Sequence, residues 1–249
     1  MIIHLLNCFT CNARWPSQLK TGMVCLLIET DQGPVLVDTG LGLGDYIHPT
    51  WMTRLFRIIT ELPFDPNEAV VNRIRQLGYR PEDVRHILLT HMHFDHISGL
   101  PDFPHAKVHV HRREYDSFTD GKSLRWTDAA YIPRYIAHRP EFVLYDRVDS
   151  KWYDFDAIRL PFQPEMYFIP LYGHSYGHCG VAIKTSDDWF FHAGDAGAVY
   201  NDETPAWLIK LVLGPHDPLL RRFMQEHPEV LLTNSHMPPE FFTQHATLS

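Results

Sequence analysis

Residues 91–96 contain four side chains of the types that bind metal ions. The segment reads His-Met-His-Phe-Asp-His and directly follows an apolar run that ends at Thr90. In extended backbone, residues i and i+2 point to the same side and lie about 6.5 Å apart along the chain. Two imidazoles placed in this way can converge on one cation, and the aspartate and last histidine follow where the chain must turn. The spacing therefore predicts one metal site, with a second cation possible beside it.

Three later segments also carry ligand-type side chains directly after an apolar strand. They are Gly173–His178, Ala193–Asp195 and Asn234–His236. Loops at strand ends are the places where a rigid sheet can present a functional site. The ligand-type residues in all four segments offer nitrogen or oxygen atoms, which suit zinc and also fit manganese, iron or cobalt. The pattern predicts that the four segments meet at a metal centre.

The composition favours an ordinary globular protein with an unusual amount of histidine. Histidine accounts for 17 of the 249 residues, hydrophobic residues for 45% and charged residues for 21%. These fractions exclude disordered, collagen-like and coiled-coil proteins. The net charge is −8 and no run of basic residues occurs, so neither nucleic acid nor a membrane is expected as a partner. A small-molecule substrate is expected instead, and a homodimer is possible.

Apolar runs and turn residues predict strands near both ends of the chain with helices between them. The predicted strands are Ile2–Phe9, Met23–Thr30, Pro34–Val37, Val84–Thr90, Ala106–Val110, Met166–Leu171, Gly180–Thr185, Trp189–His192 and Glu229–Thr233, and the predicted helices are Ile47–Ile59, Asn67–Leu77 and Leu219–Glu226. The segment 112–165 mixes aromatic, charged and proline residues and suggests an insert of helix and hairpin. This order predicts an α/β fold with two β-layers faced by helices, formed by a single domain over 1–249 with inserts near 41–66 and 112–165.

The cysteines and the chain start suggest a cytoplasmic protein. Four cysteines in a chain of this length do not form a disulfide framework, and the first residues lack the features of a secretory signal. Cys8 and Cys11 have the spacing of a zinc-binding pair. An isolated pair cannot fill the four positions of a structural zinc site, so we expect no metal there.

The four segments, together with Asp38-Thr39-Gly40, resemble the metallo-β-lactamase superfamily over nearly the whole chain. The resemblance implies a four-layer αββα sandwich that binds two divalent metal ions, most often Zn²⁺, with Mn²⁺, Fe²⁺ or Co²⁺ as alternatives. It also implies a role for each site residue: His91, His93 and His174 hold the first metal, Asp95, His96 and His236 hold the second, Asp195 bridges the two, Asp38 orients a ligand histidine, and His178 is a hydrogen-bonding support.

The reaction implied by this resemblance is hydrolysis by a hydroxide that bridges the two metals. A bound metal lowers the pKa of water toward about 7 and stabilises the anion that forms at a carbonyl. Asp95 would orient the nucleophile and carry a proton to the leaving group. We therefore expect a metal-dependent hydrolase that acts on an ester, lactone or thioester.

Among the known members, the pattern is nearest to the N-acyl-homoserine lactone lactonases. Diiron flavoproteins have glutamate where this chain has His93, and hydroxyacylglutathione hydrolases carry a helical extension where this chain has only Met237–Ser249. The lactonases place a tyrosine three residues after the bridging aspartate. This chain has Ala198 there, with Tyr200 two residues later. Either Tyr200 replaces that tyrosine or the substrate is not a lactone.

Two other functions remain open on the same resemblance. Persulfide dioxygenases share the motif at residues 91–96 but bind a single iron through the counterparts of His91, His174 and Asp195. A non-catalytic member would use the fold for protein contacts, although such members usually lack ligands and none is missing here. The complete second site ending at His236 favours the dinuclear hydrolase over both.

Aromatic residues outside the ligand segments are candidate walls of a substrate pocket. We expect the helix Ile47–Ile59, with Trp51 and Phe56, to cap the metal site, with Tyr200 near the substrate carbonyl. Further candidates are Trp15, Trp126, Tyr131 and Tyr135. Apolar walls would suit an acyl chain. Buried aromatic residues are common in protein cores, so each of these side chains could instead pack the interior.

Overall fold

Strands and helices alternate along most of the chain. The computed structural model describes residues 2–13, 19–120, 126–201 and 204–248. In this part of the chain the strands are β1 Ile3–Ala13, β2 Leu19–Thr30, β3 Gly33–Val37, β4 His86–Leu88, β5 Lys107–His111, β6 Glu141–Tyr145, β7 Ser150–Trp152, β8 Phe155–Arg159, β9 Met166–Pro170, β10 Cys179–Lys184, β11 Trp189–His192, β12 Leu231–Thr233, β13 His236–Met237 and β14 Thr247–Leu248.

The helices of the same described residues are mostly short. They are α1 Leu43–Ile47, α2 Trp51–Thr60, α3 Val70–Gln76, α4 Phe94–Ile97, α5 Arg112–Asp120, α6 Ala206–Leu213, α7 Asp217–Glu226 and α8 Pro239–Gln244. Single 3₁₀ turns occur between them, for example at Pro66–Glu68 and Pro133–Ile136. Among the described residues, none of these helices has both the length and the apolar character needed to span a membrane.

The strands form two mixed sheets. In the first sheet the order is β14-β1-β2-β3-β4-β5-β6, and β13 pairs with β2 beside this path. Strands β1 to β3 are antiparallel neighbours, whereas β3, β4, β5 and β6 run parallel. In the second sheet the order is β12-β11-β10-β9-β8-β7, with only β11 and β12 parallel. Each sheet therefore contains parallel strands whose carboxyl ends lie at one end of that sheet.

The sheets pack face to face and helices cover their outer faces. Successive residues of a strand point to opposite faces, and β2 shows this alternation. Leu26 and Ile28 enter the layer between the sheets, where they join Phe168 and Val181 of the second sheet. Leu27 points the other way into an outer cluster that also contains side chains of α3. Helix α7 covers the second sheet in the same manner. This is the expected four-layer αββα sandwich.

The predicted helix Ile47–Ile59 differs most from expectation. Only its first residue lies in α1, and the helix proper is α2, for which Thr50 is the N-cap and accepts a hydrogen bond from the Thr53 N–H. The apolar side chains that suggested an inward face are exposed, by 45–76%: Ile47, Trp51, Leu55, Ile58 and Ile59. Phe56 instead packs inward. The spacing therefore predicted a helix correctly, but the apolar side chains lie on the face of the helix that is exposed to solvent.

Residues 112–165, which the sequence suggested as an insert, contribute strands to both sheets. Strand β6 pairs with β5 over five residue pairs at the edge of the first sheet, and β7 and β8 pair as a hairpin in the second sheet. The described residues of this segment also contain helix α5 and two 3₁₀ turns. Helices α6 and α8 and the short strands β13 and β14 were not predicted.

Candidate metal centre

The ligand segments meet at the ends of strands from both sheets. Residues 91–93 follow β4, and α4 begins at once, so that the backbone turns as the sequence suggested. His174 lies in the loop between β9 and β10, and Asp195 follows β11. His236 opens β13 and pairs with Met23 of β2. Hydrogen bonds also join the loops, because the Cys179 N–H donates to the Thr90 carbonyl at 2.9 Å and the Ser235 N–H to the Gly194 carbonyl at 3.0 Å.

Among the described residues, three groups of side chains could each hold a cation. Within each group the candidate ligand atoms all lie within 4.8 Å of one another. The groups are His91, His93 and His174; His91, His96 and Asp195; and Asp95, His96 and His236. The first and third groups are the two sets of three residues that the sequence resemblance assigned to the two metals. We call them the first trio and the second trio.

Asp195 lies between the two trios. Its Oδ2 atom is 3.3 Å from His174 Nε2, and it is 3.7 Å from both His96 Nε2 and His236 Nε2. One carboxylate oxygen thus faces a nitrogen of the first trio and two nitrogens of the second. This is the position that a bridging ligand requires.

The interior of the site contains polar atoms that have no protein partner. Buried atoms without a hydrogen bond in the described part of the chain include His91 Nε2, His93 Nε2, His96 Nε2, His174 Nε2 and Asp195 Oδ1. Each buried polar atom left unpaired costs free energy, so such a cluster needs another partner. Several imidazole nitrogens facing one carboxylate form a nitrogen and oxygen donor set that suits divalent transition metals. The residues therefore fit metal ions.

The protonation states of His91, His93 and Asp195 also fit this interpretation, whereas a metal at His96 would displace a proton. Burial, together with the neighbouring histidines, lowers the pKa values of His91 and His93 well below the usual range. The neutral imidazole is the form that binds a metal. Burial also opposes charge on His96, but Asp38, Asp95 and Asp195 outweigh it and raise its pKa. Burial likewise opposes charge on Asp195, but His236, His96 and His174 outweigh it and lower its pKa.

Asp38 and His178 support the candidate ligands. Asp38 is fully buried; its Oδ2 accepts from His96 Nδ1 at 2.8 Å and from the Thr90 hydroxyl at 2.7 Å. The His96 Nδ1–H is thereby engaged, which leaves Nε2 free for a metal. His178 Nε2 accepts from the Asp195 backbone N–H at 3.0 Å. A side chain at Gly194, which has φ +58°, would place its Cβ only 2.6 Å from His178 Nε2.

Two further contacts near the histidines were not predicted from the sequence. His174 Nδ1 donates to the Val212 carbonyl at the end of α6 at 2.8 Å, which orients its Nε2 toward Asp195. Glu114 of α5 is buried below the loops and accepts hydrogen bonds from two of them. In the sequence, Glu114 is one polar residue within a mixed segment and has no local pattern that marks it. Its hydrogen-bond partners are distant in sequence.

The candidate substrate residues lie in different places. A cavity of about 130 Å³ opens beside Asp195 and His236, and Ala198 and Tyr200 are among its lining residues. The Tyr200 hydroxyl, however, donates to the Leu232 carbonyl at 2.8 Å rather than to the metal site. Tyr200 therefore lines the cavity, with its phenol directed at β12.

The aromatic candidates on the other side of the site are also spread out. The Phe56 ring packs edge-on against Phe94, which lies between two candidate ligands, whereas Trp51 is exposed. Tyr131 lies with its ring centroid 5.3 Å from that of His93. Tyr135 is buried and its hydroxyl donates to Asp45. Trp15 lies outside the described residues, and so does the side chain of Trp126.

The sequence of this chain is similar to one family profile and to curated proteins. A sequence profile of the metallo-β-lactamase superfamily matches residues 23–237. A probable metallo-hydrolase of Mycobacterium tuberculosis is 39% identical over 199 residues, which cover 78% of this chain and 62% of that protein. The N-acyl homoserine lactonase AiiA of Bacillus thuringiensis subsp. kurstaki is 28% identical over 65% of this chain and 58% of its own length. The chain thus spans about three fifths of these curated relatives.

Solved structures share the fold over a longer stretch. A B. thuringiensis AiiA variant with N-decanoyl-L-homoserine bound at the active site superposes with a TM-score of 0.69 and 19% identity, covering 98% of this chain and 95% of that one. An N-acyl homoserine lactone hydrolase with N-hexanoyl-L-homoserine bound at its catalytic metal centre gives a TM-score of 0.68, again with 19% identity and the same coverage. At these identities the comparison shows the fold.

Proposed function

The chain belongs to the metallo-β-lactamase superfamily, and we propose that it is a metal-dependent hydrolase with a dinuclear centre. The single observation that carries the proposal is the position of Asp195 Oδ2, within 3.3–3.7 Å of nitrogens from both trios. The orphaned imidazole nitrogens around it supply the other donors. The first metal would be held by His91, His93 and His174, and the second by Asp95, His96 and His236, with Asp195 shared.

When bound, the two metals would supply a nucleophilic hydroxide at neutral pH and polarise the substrate carbonyl. The residues of the chain then have separate tasks. Asp95 Oδ2 lies 3.9 Å from His96 Nε2 and 3.8 Å from His236 Nε2, at the edge of the site. There it would hold the proton of the attacking water and pass it to the leaving group. Asp38 holds His96 in one orientation, and His178 holds the backbone of Asp195.

We propose zinc as the first metal to test, with manganese, iron and cobalt as alternatives. The ligand set contains imidazole nitrogens and carboxylate oxygens without a thiolate, and zinc accepts these donors. A cytoplasmic location is also proposed, supported by four cysteines that are buried and free among the described residues.

For the substrate we propose a small molecule with an ester, lactone or thioester bond. Similarity to the lactonases supports lactones as the first class to screen. The cavity beside Asp195 and His236 is lined in part by Leu213 and Pro238, which suits an apolar part of such a substrate. Because the Tyr200 hydroxyl donates to the Leu232 carbonyl, we do not assign it to the substrate carbonyl. Esters and thioesters therefore belong in the same screen.

The alternative of a mononuclear iron persulfide dioxygenase receives less support. It would need only counterparts of His91, His174 and Asp195. The second trio is as compact as the first, with candidate atoms within 4.8 Å of one another. A compact second trio favours two metals.

Elemental analysis of the purified protein, followed by a hydrolysis screen, tests the proposal. We expect two divalent metals per chain and turnover of at least one lactone, ester or thioester, lost on chelation and restored by metal. One iron per chain with oxygen consumption on glutathione persulfide would replace the hydrolase with the dioxygenase. Failure to bind metal after reconstitution would contradict both.

A further inference from the structure

Glu114 is a buried carboxylate that accepts four hydrogen bonds. It lies on α5, has no exposed surface, and is not one of the candidate metal ligands. Its Oε1 accepts from the Met92 N–H and the Tyr131 hydroxyl, both at 2.9 Å. Its Oε2 accepts from the Ser175 hydroxyl at 2.7 Å and from the Gly177 N–H at 2.8 Å. All four donors are uncharged groups.

The two oxygens of Glu114 divide between two loops. Met92 lies between His91 and His93, so Oε1 fixes the backbone that carries both histidines. Ser175 and Gly177 follow His174, so Oε2 fixes the loop that carries the third histidine of the first trio. One carboxylate therefore joins the two loops whose side chains form the first trio.

The second loop also packs directly on the backbone of α5. A Cβ atom at Gly177 would lie 2.2 Å from the Glu114 nitrogen, so this position admits only glycine at such close approach. The loop cannot move away without breaking both bonds to Oε2. Glu114 thus sets the distance between the loops as well as their orientation.

The second trio shares the segment 91–96 with the first trio and has further anchors that do not involve Glu114. Asp38 accepts from His96 Nδ1, and the Thr39 N–H and hydroxyl both donate to the His96 carbonyl at 2.8 Å. His236 is held by the pairing of β13 with β2. None of the four bonds to Glu114 involves a residue of this trio.

We propose that Glu114 is the positioning residue of the first metal site, acting by holding the loops of His91, His93 and His174 at the distance that one cation requires. This inference rests on the proposed dinuclear centre. It predicts that the affinity of one metal depends on Glu114 while the affinity of the other does not. A carboxylate that only stabilised the fold would affect both metals alike, through the stability of the whole protein.

Glu114→Gln is the most informative substitution because it keeps the shape of the side chain. A glutamine has one acceptor oxygen and one NH₂ group. The Tyr131 and Ser175 hydroxyls can rotate to accept from that NH₂, but the backbone N–H of Met92 or of Gly177 cannot. One loop therefore loses its acceptor whichever way the amide is oriented.

The experiment titrates metal-free protein with Co²⁺ in competition with a chelator and follows the visible absorption of the bound metal. Wild type is expected to bind two equivalents. In Glu114→Gln, one equivalent should weaken by about 10- to 100-fold, the range found for groups that orient metal ligands, and the other should change less than threefold. Ser175→Ala should weaken the same equivalent by a smaller factor. Glu68→Gln is the matched control, because Glu68 also accepts from a backbone N–H and a hydroxyl, those of Thr10.

The affected equivalent is identified in a His236→Ala background, which removes a ligand of the second trio. There Glu114→Gln should still weaken the remaining equivalent by about 10- to 100-fold. Equal weakening of both equivalents, or unchanged affinities in both Glu114→Gln and Ser175→Ala, would overturn the inference. If wild type itself bound no metal, the proposed function would fail instead, so the two failures are distinguishable.

Discussion

At the scale of single residues, the site is defined by imidazole atoms that face one another without protein partners. His91, His93 and His174 each bury Nε2 in this way. On His91 and His174 the other ring nitrogen is engaged, at Thr90 Oγ1 and at the Val212 carbonyl respectively. A hydrogen bond at one ring nitrogen fixes the tautomer and leaves the other as a ligand. The side chains thus present a donor set whose geometry fits a cation.

Asp195 is the residue on which both metals should depend. Replacing it with alanine removes the one carboxylate oxygen that faces nitrogens of both trios. We expect Asp195→Ala to lose at least one metal equivalent, to bind the other more weakly, and to lose most of its hydrolytic activity. Elemental analysis of the purified variant beside wild type measures this. Two tightly bound metals and full turnover in the variant would contradict the dinuclear assignment.

His178 should matter less than Asp195, because its contact is with the backbone. Its Nε2 accepts the Asp195 N–H, and His178→Ala leaves that buried donor without a partner. An unpaired buried group costs about 1–3 kcal/mol, so the free energy of unfolding should fall by that amount. Both metals should remain, with affinity reduced by about 10-fold. Denaturant unfolding and metal titration together check this, and complete loss of metal would mean that His178 is itself a ligand.

At the scale of elements, strand ends could be predicted from the sequence because they are local signals. The apolar runs before residues 91–96, before Asp195 and before Asn234 were each predicted as strands, and β4, β11 and β12 lie within them. Turn chemistry and ligand-type side chains then mark where each strand must end. For this reason the fold class, and the expectation that the ligand segments would meet, followed from sequence.

Pairing between distant segments could not be predicted in the same way. Strand β6 joins β5 in parallel although residues 112–140 separate them, and the short β13 is a strand only because β2 lies beside it. Hydrogen bonds between distant segments produce no periodic pattern in the local sequence. Glu114 was missed for the same reason, since its four donors lie on segments at residues 92, 131 and 175–177.

Helix α2 shows that a helical period does not say which face is buried. Ile58 is 76% exposed, whereas Phe56 packs edge-on against Phe9 and Phe94. We expect Ile58→Lys to change the free energy of unfolding by less than about 0.5 kcal/mol, as is usual for exposed positions. Phe56→Ala should lower it by about 2 kcal/mol, because it removes a partly buried aromatic ring from two contacts. Urea unfolding of both variants would settle the orientation, and a larger cost at Ile58 would reverse it.

At the scale of the whole molecule, the candidate metal centre lies at the junction of the two sheets. The first sheet supplies residues 91–96 after β4 and His236 beside β2, and the second sheet supplies His174 and Asp195. Metal ions bound there would connect the sheets at one end, and the shared apolar layer connects them along their faces. Metal binding would therefore also affect the stability of the fold, because the loops that hold the metals lie between the two sheets.

Buried histidines outside the candidate ligand set should make the stability of the protein depend on pH. Burial, with a smaller effect of His86 and Lys107, lowers the pKa of His109 to about 3, and burial lowers the pKa of His192 to about 4. In the unfolded chain each would titrate near 6.5. The unfolded state therefore binds protons at a pH at which these histidines stay neutral in the folded state. The free energy of unfolding decreases as the pH falls below about 6.5.

The size of this effect can be measured at His109, whose ring nitrogens lie 2.9 Å from His86 Nδ1 and 2.8 Å from the Tyr145 hydroxyl. Between pH 7.5 and 5.5 a histidine that stays neutral in the folded state loses up to about 1.4 kcal/mol of stability. Denaturant unfolding of wild type and His109→Gln at the two pH values should show a smaller loss in the variant, by up to that amount. Metal release from the centre affects both proteins equally and cancels in the difference. An identical pH dependence in the two proteins would mean that His109 takes up its proton while folded, and that the contact with His86 rearranges to admit the charge.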